Sequence, residues 1–457
     1  MVEEVECAVV QSGPMGCRSV LVRMINEVSQ SKDVAGQPGG VGRRPDIHPK
    51  DGAIPETVWR IGVVMCLMNV SFVMAYSFSG LYLKHILGAT AISIGVLEGI
   101  CETTSHMMKL FSGMISDFVG RRKVIMVIGY VFSVFSKPIL AISTTSGLVC
   151  MARMMERFGN GIQASPRDAI IADVAPRKRI GASYGLKRSL AYLGSMLGGV
   201  LAIFAIKATH YDYQAVFALA SIPALVAFGI LMFIKEPKRF DHPALASGAP
   251  LPPPKLKVKF SFKNFQYLGL SFWLLMGVNM VFMLARMNET FLILRMNEGY
   301  RSDLMFAPVV MIVLNIGTAI SSYPIGLLGD RSNRTGLLSV GITALLLADI
   351  IMYAAGSVTT MCIGVLCWGI QLGATQNVFV SLIAEKVPED LRGTGIGVYW
   401  LVNAVASFFA DTLAGFVAHH YSLEYIFVSS GITGLIALLA LYFMIHITTF
   451  NRRRRIV

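Results

Sequence analysis

Long apolar runs separated by short polar loops dominate the chain. The clearest uncharged stretches run from Ile61 to Leu83, Ala215 to Ile234, Asn264 to Ala285, Leu304 to Gly329 and Tyr425 to Ile447. Each clears the roughly 18 to 20 apolar residues that cross the hydrocarbon of a bilayer. Further runs keep the length but hold a charge or two, and the pattern as a whole predicts spans at 59–83, 91–116, 124–142, 147–171, 184–206 and 213–234. A second set follows at 265–294, 304–328, 336–354, 358–383, 395–419 and 425–447. The expected fold is an all-α membrane protein of about twelve transmembrane helices.

Polar segments divide this array. Residues 1–57 lack the apolar core of a signal peptide and read as a disordered polar tail. Residues 235–264 form a Pro- and Lys-rich linker between six-helix halves at 58–234 and 265–447, and 448–457 is a short basic tail. The halves repeat in the same direction. Gly326, Asp330 and Arg334 match Gly113, Asp117 and Arg121 at an offset of 213, while Glu385, Pro388, Gly393 and Gly397 match Asp173, Pro176, Gly181 and Gly185 at 212.

Composition supports the bilayer. Only 15% of the 457 residues are charged and mean hydropathy is +0.61, whereas a soluble domain carries about 25% charge. Lys and Arg collect in the loops on one side (Arg121 to Lys123, Arg177 to Arg179, the linker, Arg331, Arg334, Lys386, Arg392) and in the run Arg452 to Arg455. The positive-inside rule then expects both termini in the cytoplasm. The net charge of +13 is accounted for by anionic lipid, and no nucleic-acid partner is expected. The seven cysteines show neither disulfide-framework nor zinc spacing, so no metal or cofactor is expected. Met and Phe stripes read as core.

Ionisable side chains inside the spans carry the candidate chemistry, because each costs a few kcal/mol there. Glu98, Glu102, His106 and Lys109 form one stripe in the second span, and Arg153 and Arg157 lie with Glu156 in the fourth. Arg286 and Glu289 lie in the seventh, Gln376 in the tenth and Asp411 in the eleventh. As a substrate or proton pathway these are Glu98, Glu102, Arg153, Arg157, Arg286, Glu289, Gln376 and Asp411. The structural alternative is mutual pairing, for example Glu102 with Lys109 or Glu156 with Arg153, with Lys137 and Arg188 pairing or snorkelling. In the loop GMISDFVGRR, Gly113 permits close helix approach, Gly120 a tight turn, and Asp117 a contact with a helix N-terminus. Gly194, Gly198 and Gly199 in the fifth span read as helix packing.

The G-x-x-x-D-x-x-G-R-R loop, present once in full and once degraded, makes residues 59–446 resemble the major facilitator superfamily. RFGNGIQASPRDAIIADVAP and GIQLGATQNVFVSLIAEKVPEDLRGTGIG are similar to a bacterial branch of that superfamily. The resemblance implies alternating access, with spans one, four, seven and ten lining the cavity. It also implies a gating motif of Gly113, Asp117, Gly120, Arg121 and Arg122, repeated as Gly326, Asp330 and Arg334. Asp117 would meet the start of span eleven, around Gly393 to Gly397, and hold the protein closed to the cytoplasm.

The function expected is secondary transport of a small solute bearing an anionic group, coupled to an ion, most simply a proton, by a monomer in the lipid bilayer. Glu102, Glu98 and Asp411 are the proton carriers to consider. No P-loop is present, so ATP is not the expected energy source. Two rivals stand beside this reading, a transporter-like sensor and a membrane-embedded enzyme using His106 with Glu102. No catalytic nucleophile adjoins that pair, and the chain is not expected to be an enzyme.

Overall fold

The computed structural model describes residues 54–119, 121–175, 180–234, 268–299, 306–331, 334–387 and 392–454, with side chains for all but 114, 117–119, 180–181, 299, 323, 326–331, 377, 384, 392–393 and 448–454. The polar segment up to residue 53, the linker at 235–264, Gly120 and the side chains of the basic tail lie outside the described residues.

Every described element is a helix. They are α1 (Glu56–Leu81, extended by a π turn at Tyr82–Ile86), α2 (Ala91–Val119), α3 (Arg122–Ala141), α4 (Ser146–Val174), α5 (Ile180–Ala208) and α6 (Tyr213–Met232). Then come α7 in two pieces (Leu270–Ala285 and Glu289–Gly299), α8 (Phe306–Arg331), α9 (Arg334–Ala354), α10 (Val358–Lys386), α11 (Arg392–His420) and α12 (Tyr425–Arg454). Side-chain caps start several of them. Thr145 accepts from the Leu148 N–H, Asp212 from Gln214 and Ala215, and Ser357 with Thr360 forms a capping box.

Among the described residues nine spans are long and apolar enough to cross a membrane. The three missing from the expected twelve are α2, α4 and α8. In α8 the apolar stretch among the residues with described side chains is Phe306–Ser322, within a helix that runs to Arg331. In α2 and α4 the charges lower the hydropathy, and four of them, Glu98 with Arg153 and Glu102 with Arg157, are turned toward each other across the contact between the two helices. Such pairing is what lets an ionisable side chain reside at membrane depth.

The duplication is visible in the packing. Within the first half α1 packs on α5 and α6, α3 on α4 and α6, and α2 on α4. Within the second α7 packs on α11 and α12, α9 on α10 and α12, and α8 on α10, the same pairs six helices on. The halves meet through α2 with α11 and α5 with α8, which are each other's counterparts. Glycines set the spacing there. A Cβ on Gly95 or Gly99 would run into the backbone of α11 around Phe408, Asp411 and Gly415, and one on Gly199 into Ile312 of α8. Gly194 and Gly198 lie as closely against Cys66 and Val70 of α1, which fits helix packing. Gly113 departs from expectation, because an added Cβ would meet Ser165 at 3.6 Å, an ordinary contact.

The exterior is apolar. Phe135, Phe204, Leu225, Ile350, Leu439 and Tyr442 are all exposed, a surface that water would not tolerate and lipid covers. The chain is an integral, multi-pass membrane protein. The C-terminal ends of α2, α4, α8 and α10 and the N-terminal ends of α3, α5, α9 and α11 share one face, here the basic face, and the α1–α2, α3–α4, α9–α10 and α11–α12 turns share the far face. Cysteines placed at Thr144 and Gly356, beside the far-face caps rather than on them, should react with an impermeant thiol reagent added to intact cells, and one at Ser247 in the linker should not. The reverse labelling would invert the orientation.

Candidate functional site

Span seven, expected as one helix over 265–294, is broken at 286–288. Polar residues at the break explain it. The Asn288 side chain accepts from the Thr290 N–H at 3.0 Å, the local bond by which an asparagine ends one helical run and caps the next. Other helices take two of the backbone groups that the break frees. Asp411 of α11 accepts the Asn288 N–H at 2.7 Å, and Ser430 of α12 donates to the Ala285 carbonyl at 2.7 Å.

A cavity of about 690 Å³ lies between the halves beside this break. Spans one, four, seven and ten contribute Tyr76, Arg157, Arg286 and Gln376 as the resemblance implied, but α2, α5, α8 and α11 line it equally, through Glu102, Arg188, Asn315 and Asp411. Among the described residues none that lines it comes from α3, α6, α9 or α12. The cavity runs from Tyr76 and Asp411 toward the basic face, where Asp168, Tyr184 and Lys187 line it.

The intramembrane charges pair across helices, in combinations the sequence did not anticipate. Arg153 is 2% exposed and holds both oxygens of Glu98, at 2.6 and 2.7 Å, while donating to Ser79 at 2.8 Å. Glu98 and Arg153 are therefore buried behind the cavity wall and do not line it. Glu156 pairs with Lys137 of α3 rather than with Arg153. Glu102 pairs with Arg157 at 3.0 Å, and Lys109 instead lies 4.7 Å above the Trp400 ring. A stripe on one helix cannot satisfy itself as well as two facing helices can, because residues of adjacent turns project side by side and not toward each other. Arg157 also stacks over Phe72 and Tyr76, at 5.3 and 5.5 Å from the ring centroids. Arg286 and Glu289 approach to 3.9 Å across the break. His106 is buried, stacks on Trp400 at 5.3 Å and has an unpartnered Nδ1 among the described residues. Arg188 reaches across the cavity to Gln376 at 3.1 Å.

Toward the far face the halves are closed on one another. Tyr76 donates to Asn288 and lies 3.0 Å from the Thr290 hydroxyl, which donates to Glu98 at 2.8 Å. Nearer the surface Lys84 pairs with Glu298, and His85 meets Asn297 at 3.0 Å. All of these bonds join the first half to the break in α7 or to its second piece.

At the basic face Arg122 pairs with Asp173 and donates to the Ala169 carbonyl. Arg334 does the same to Glu385 at 3.8 Å and to the Ser381 carbonyl at 3.2 Å. Both pairs of partners lie 212 residues apart (173 and 385, 169 and 381), as do the two arginines, which begin α3 and α9, so Arg334 is the counterpart of Arg122 and not of Arg121. The repeat slips by one residue within the loop, which hid this in the linear comparison. Arg121 is exposed at the start of α3. Gly120 and the side chains of Asp117 and Asp330 lie outside the described residues, while Gly326 and Gly393 are described only as helical backbone of α8 and α11.

Sequence reasoning passed over Tyr76, Thr290, Trp400 and Lys187. The first three read as ordinary span residues, and only their place opposite a buried charge sets them apart. Lys187 lies beside Arg188 in the sequence and is set apart only by its pairing with Asp168 of α4, at 2.6 Å.

The Major Facilitator Superfamily profile matches residues 61–411 and 296–455. An uncharacterised MFS-type transporter of Methanocaldococcus jannaschii is 25% identical over 405 residues, 87% of this chain and 97% of that protein. A gentisate transporter of Corynebacterium glutamicum is 24% identical over 342 residues, covering 73% and 74%. Among solved structures, that of a nucleoside transporter superposes with a TM-score of 0.70 at 11% identity over 85% of this chain and all of the other, a likeness of fold. With the profile spanning both halves, this chain belongs to the major facilitator superfamily of transporters.

Proposed function

We propose that this protein is a proton-coupled secondary transporter of a small anionic solute with an aromatic or similarly flat body. The observation that carries the reading is the composition of the cavity wall. Arg157 and Arg286 present guanidinium groups, whose planar fork matches a carboxylate or phosphate. Beside them Phe72, Tyr76, Tyr399 and Trp400 offer ring faces. The volume suits a metabolite and not a polymer.

Asp411 is the proton site in this reading. A proton on Glu98 or Glu102 would strand Arg153 or Arg157 without its counter-charge, at a cost of several kcal/mol. Asp411 makes no ion pair among the described residues, and its bond is to the Asn288 N–H at the α7 break. Protonation would weaken that charge-assisted bond and loosen the second piece of α7, the piece that closes the far face. With the basic face in the cytoplasm, the state described is open inward, and a proton on Asp411 favours the outward one.

Purified protein in liposomes, tested with gentisate, benzoate, D-xylose and uridine, checks both parts. The expected result is accumulation of an anionic probe that follows an imposed pH gradient and collapses with a protonophore, while Asp411→Asn binds the probe but cannot concentrate it. Uptake of neutral probes alone, or uptake indifferent to the gradient in the parent protein, would overturn the reading. Binding without uptake would assign the chain to the sensors.

A further inference from the structure

A second buried carboxylate lies outside the cavity. Asp349 of α9 is 2% exposed, and its Oδ2 is 2.7 Å from the Ser430 hydroxyl. The same hydroxyl is 2.7 Å from the carbonyl of Ala285, the last residue before the break in α7. Ser430 has one hydrogen and cannot donate to both. If it donates to an ionised Asp349, the Ala285 carbonyl, already freed by the break, loses its donor. If Asp349 carries a proton, it donates to Ser430 and Ser430 donates to Ala285, so every close contact is a hydrogen bond.

The repeat offers an independent argument. At the offset of 212 that relates α3 to α9 and α4 to α10, Asp349 and Trp368 take the places of Lys137 and Glu156. The first half has a buried ion pair there. The second has an acid with no counter-charge, and both Asp349 Oδ1 and the Trp368 indole nitrogen are buried without a partner among the described residues. The packed helices supply no charge to take its place. Between their ends α9, α10 and α12 carry no Lys, Arg, Asp or Glu other than Asp349 itself, and His446 of α12 lies about four turns beyond Ser430. On α7 the charged groups are Arg286 and Glu289, which pair with each other at the cavity, Arg295, which pairs with Glu424 just before α12, and Glu298, which pairs with Lys84, so each already has a counter-charge other than Asp349.

We propose that Asp349 is a proton-binding site outside the cavity, held as the neutral acid, which braces the α7 break through Ser430. It is a positioning residue: through the Ala285 carbonyl it sets where Arg286 enters the cavity. The break is then held at one end by Asp411 on the Asn288 N–H and at the other by Asp349 through Ser430. The inference does not depend on which solute the cavity takes or on what drives transport.

Full-length protein in detergent, compared with Asp349→Asn, Asp349→Ala and Ser430→Ala, tests it without any solute. Asparagine donates to Ser430 as the neutral acid does but cannot ionise. The folded protein keeps a proton that the unfolded chain releases above the ordinary carboxyl range, so wild-type stability falls as pH rises until Asp349 itself ionises in the fold. The folding equilibrium of wild type should therefore fall about tenfold per pH unit relative to Asp349→Asn. Infrared spectra at neutral pH should contain a protonated-carboxyl stretch in wild type that Asp349→Asn lacks. Asp349→Ala and Ser430→Ala should each lower stability, with the double variant losing less than the sum. A pH-independent loss in Asp349→Asn, or the absence of the protonated-carboxyl band, would overturn the proposal. Failure of the liposome experiment would leave these readings unaffected.

Discussion

Replacing Arg153 with alanine should prevent the protein from being recovered as a stable, monodisperse species in detergent. The substitution removes the partner of a carboxylate that is fully buried, and breaking such a pair from one side costs about 3 to 5 kcal/mol, a large share of the stability of most folds. It also leaves Ser79 without its donor and Tyr76 without the guanidinium 4.8 Å from its ring centre. Removing both charges is a different experiment. Arg153→Met combined with Glu98→Leu replaces the pair with apolar volume, which is often neutral for stability, so the double variant should recover much of the loss. Thermal unfolding followed by size exclusion measures this. A stable Arg153→Ala protein would mean that the pair is not needed to hold α2 against α4.

Arg157 should behave otherwise, although it pairs with the same helix. Arg157 and Glu102 are 13% and 21% exposed in the cavity, where water can take over part of the lost pairing. Arg157→Ala should therefore remain folded and lose nearly all binding of an anionic probe. Arg157→Lys keeps the charge without the fork, and should weaken binding by roughly 1 to 2 kcal/mol, about five- to thirtyfold. Expression, melting temperature and probe affinity, measured together on both variants, separate the roles. Unchanged affinity in a folded Arg157→Ala protein would remove Arg157 from the binding site. Collapse of the fold on the scale of Arg153→Ala would make it a structural ion pair.

The contrast between these two arginines shows where sequence reading stops. They lie one helical turn apart in α4, and by spacing alone both were equal candidates for a substrate pathway. The rotation of α4 against α2 gives one to the interior and the other to the cavity, a difference set by the neighbouring helix. Glu98 and Glu102 divide in the same way. Aromatic residues illustrate the converse, since Tyr76 and Trp400 look like any other bilayer residue until they are found facing a guanidinium or an ammonium.

What the sequence determined by itself was the solvent, the number of spans and the repeat. These rest on quantities summed over many residues, such as hydropathy across twenty positions or glycines and carboxylates recurring at one offset, and no single contact can change them. Only the tertiary structure decided how the charges pair, that Arg334 is the partner of Arg122 in the repeat, and that the seventh span breaks at residues 286–288 with a carboxylate-linked group at each end. The reason is physical. In a bilayer a charge or an orphan backbone group must find its partner within a few ångströms, and the partners here lie on helices distant in the chain, so their identity is a property of the packing.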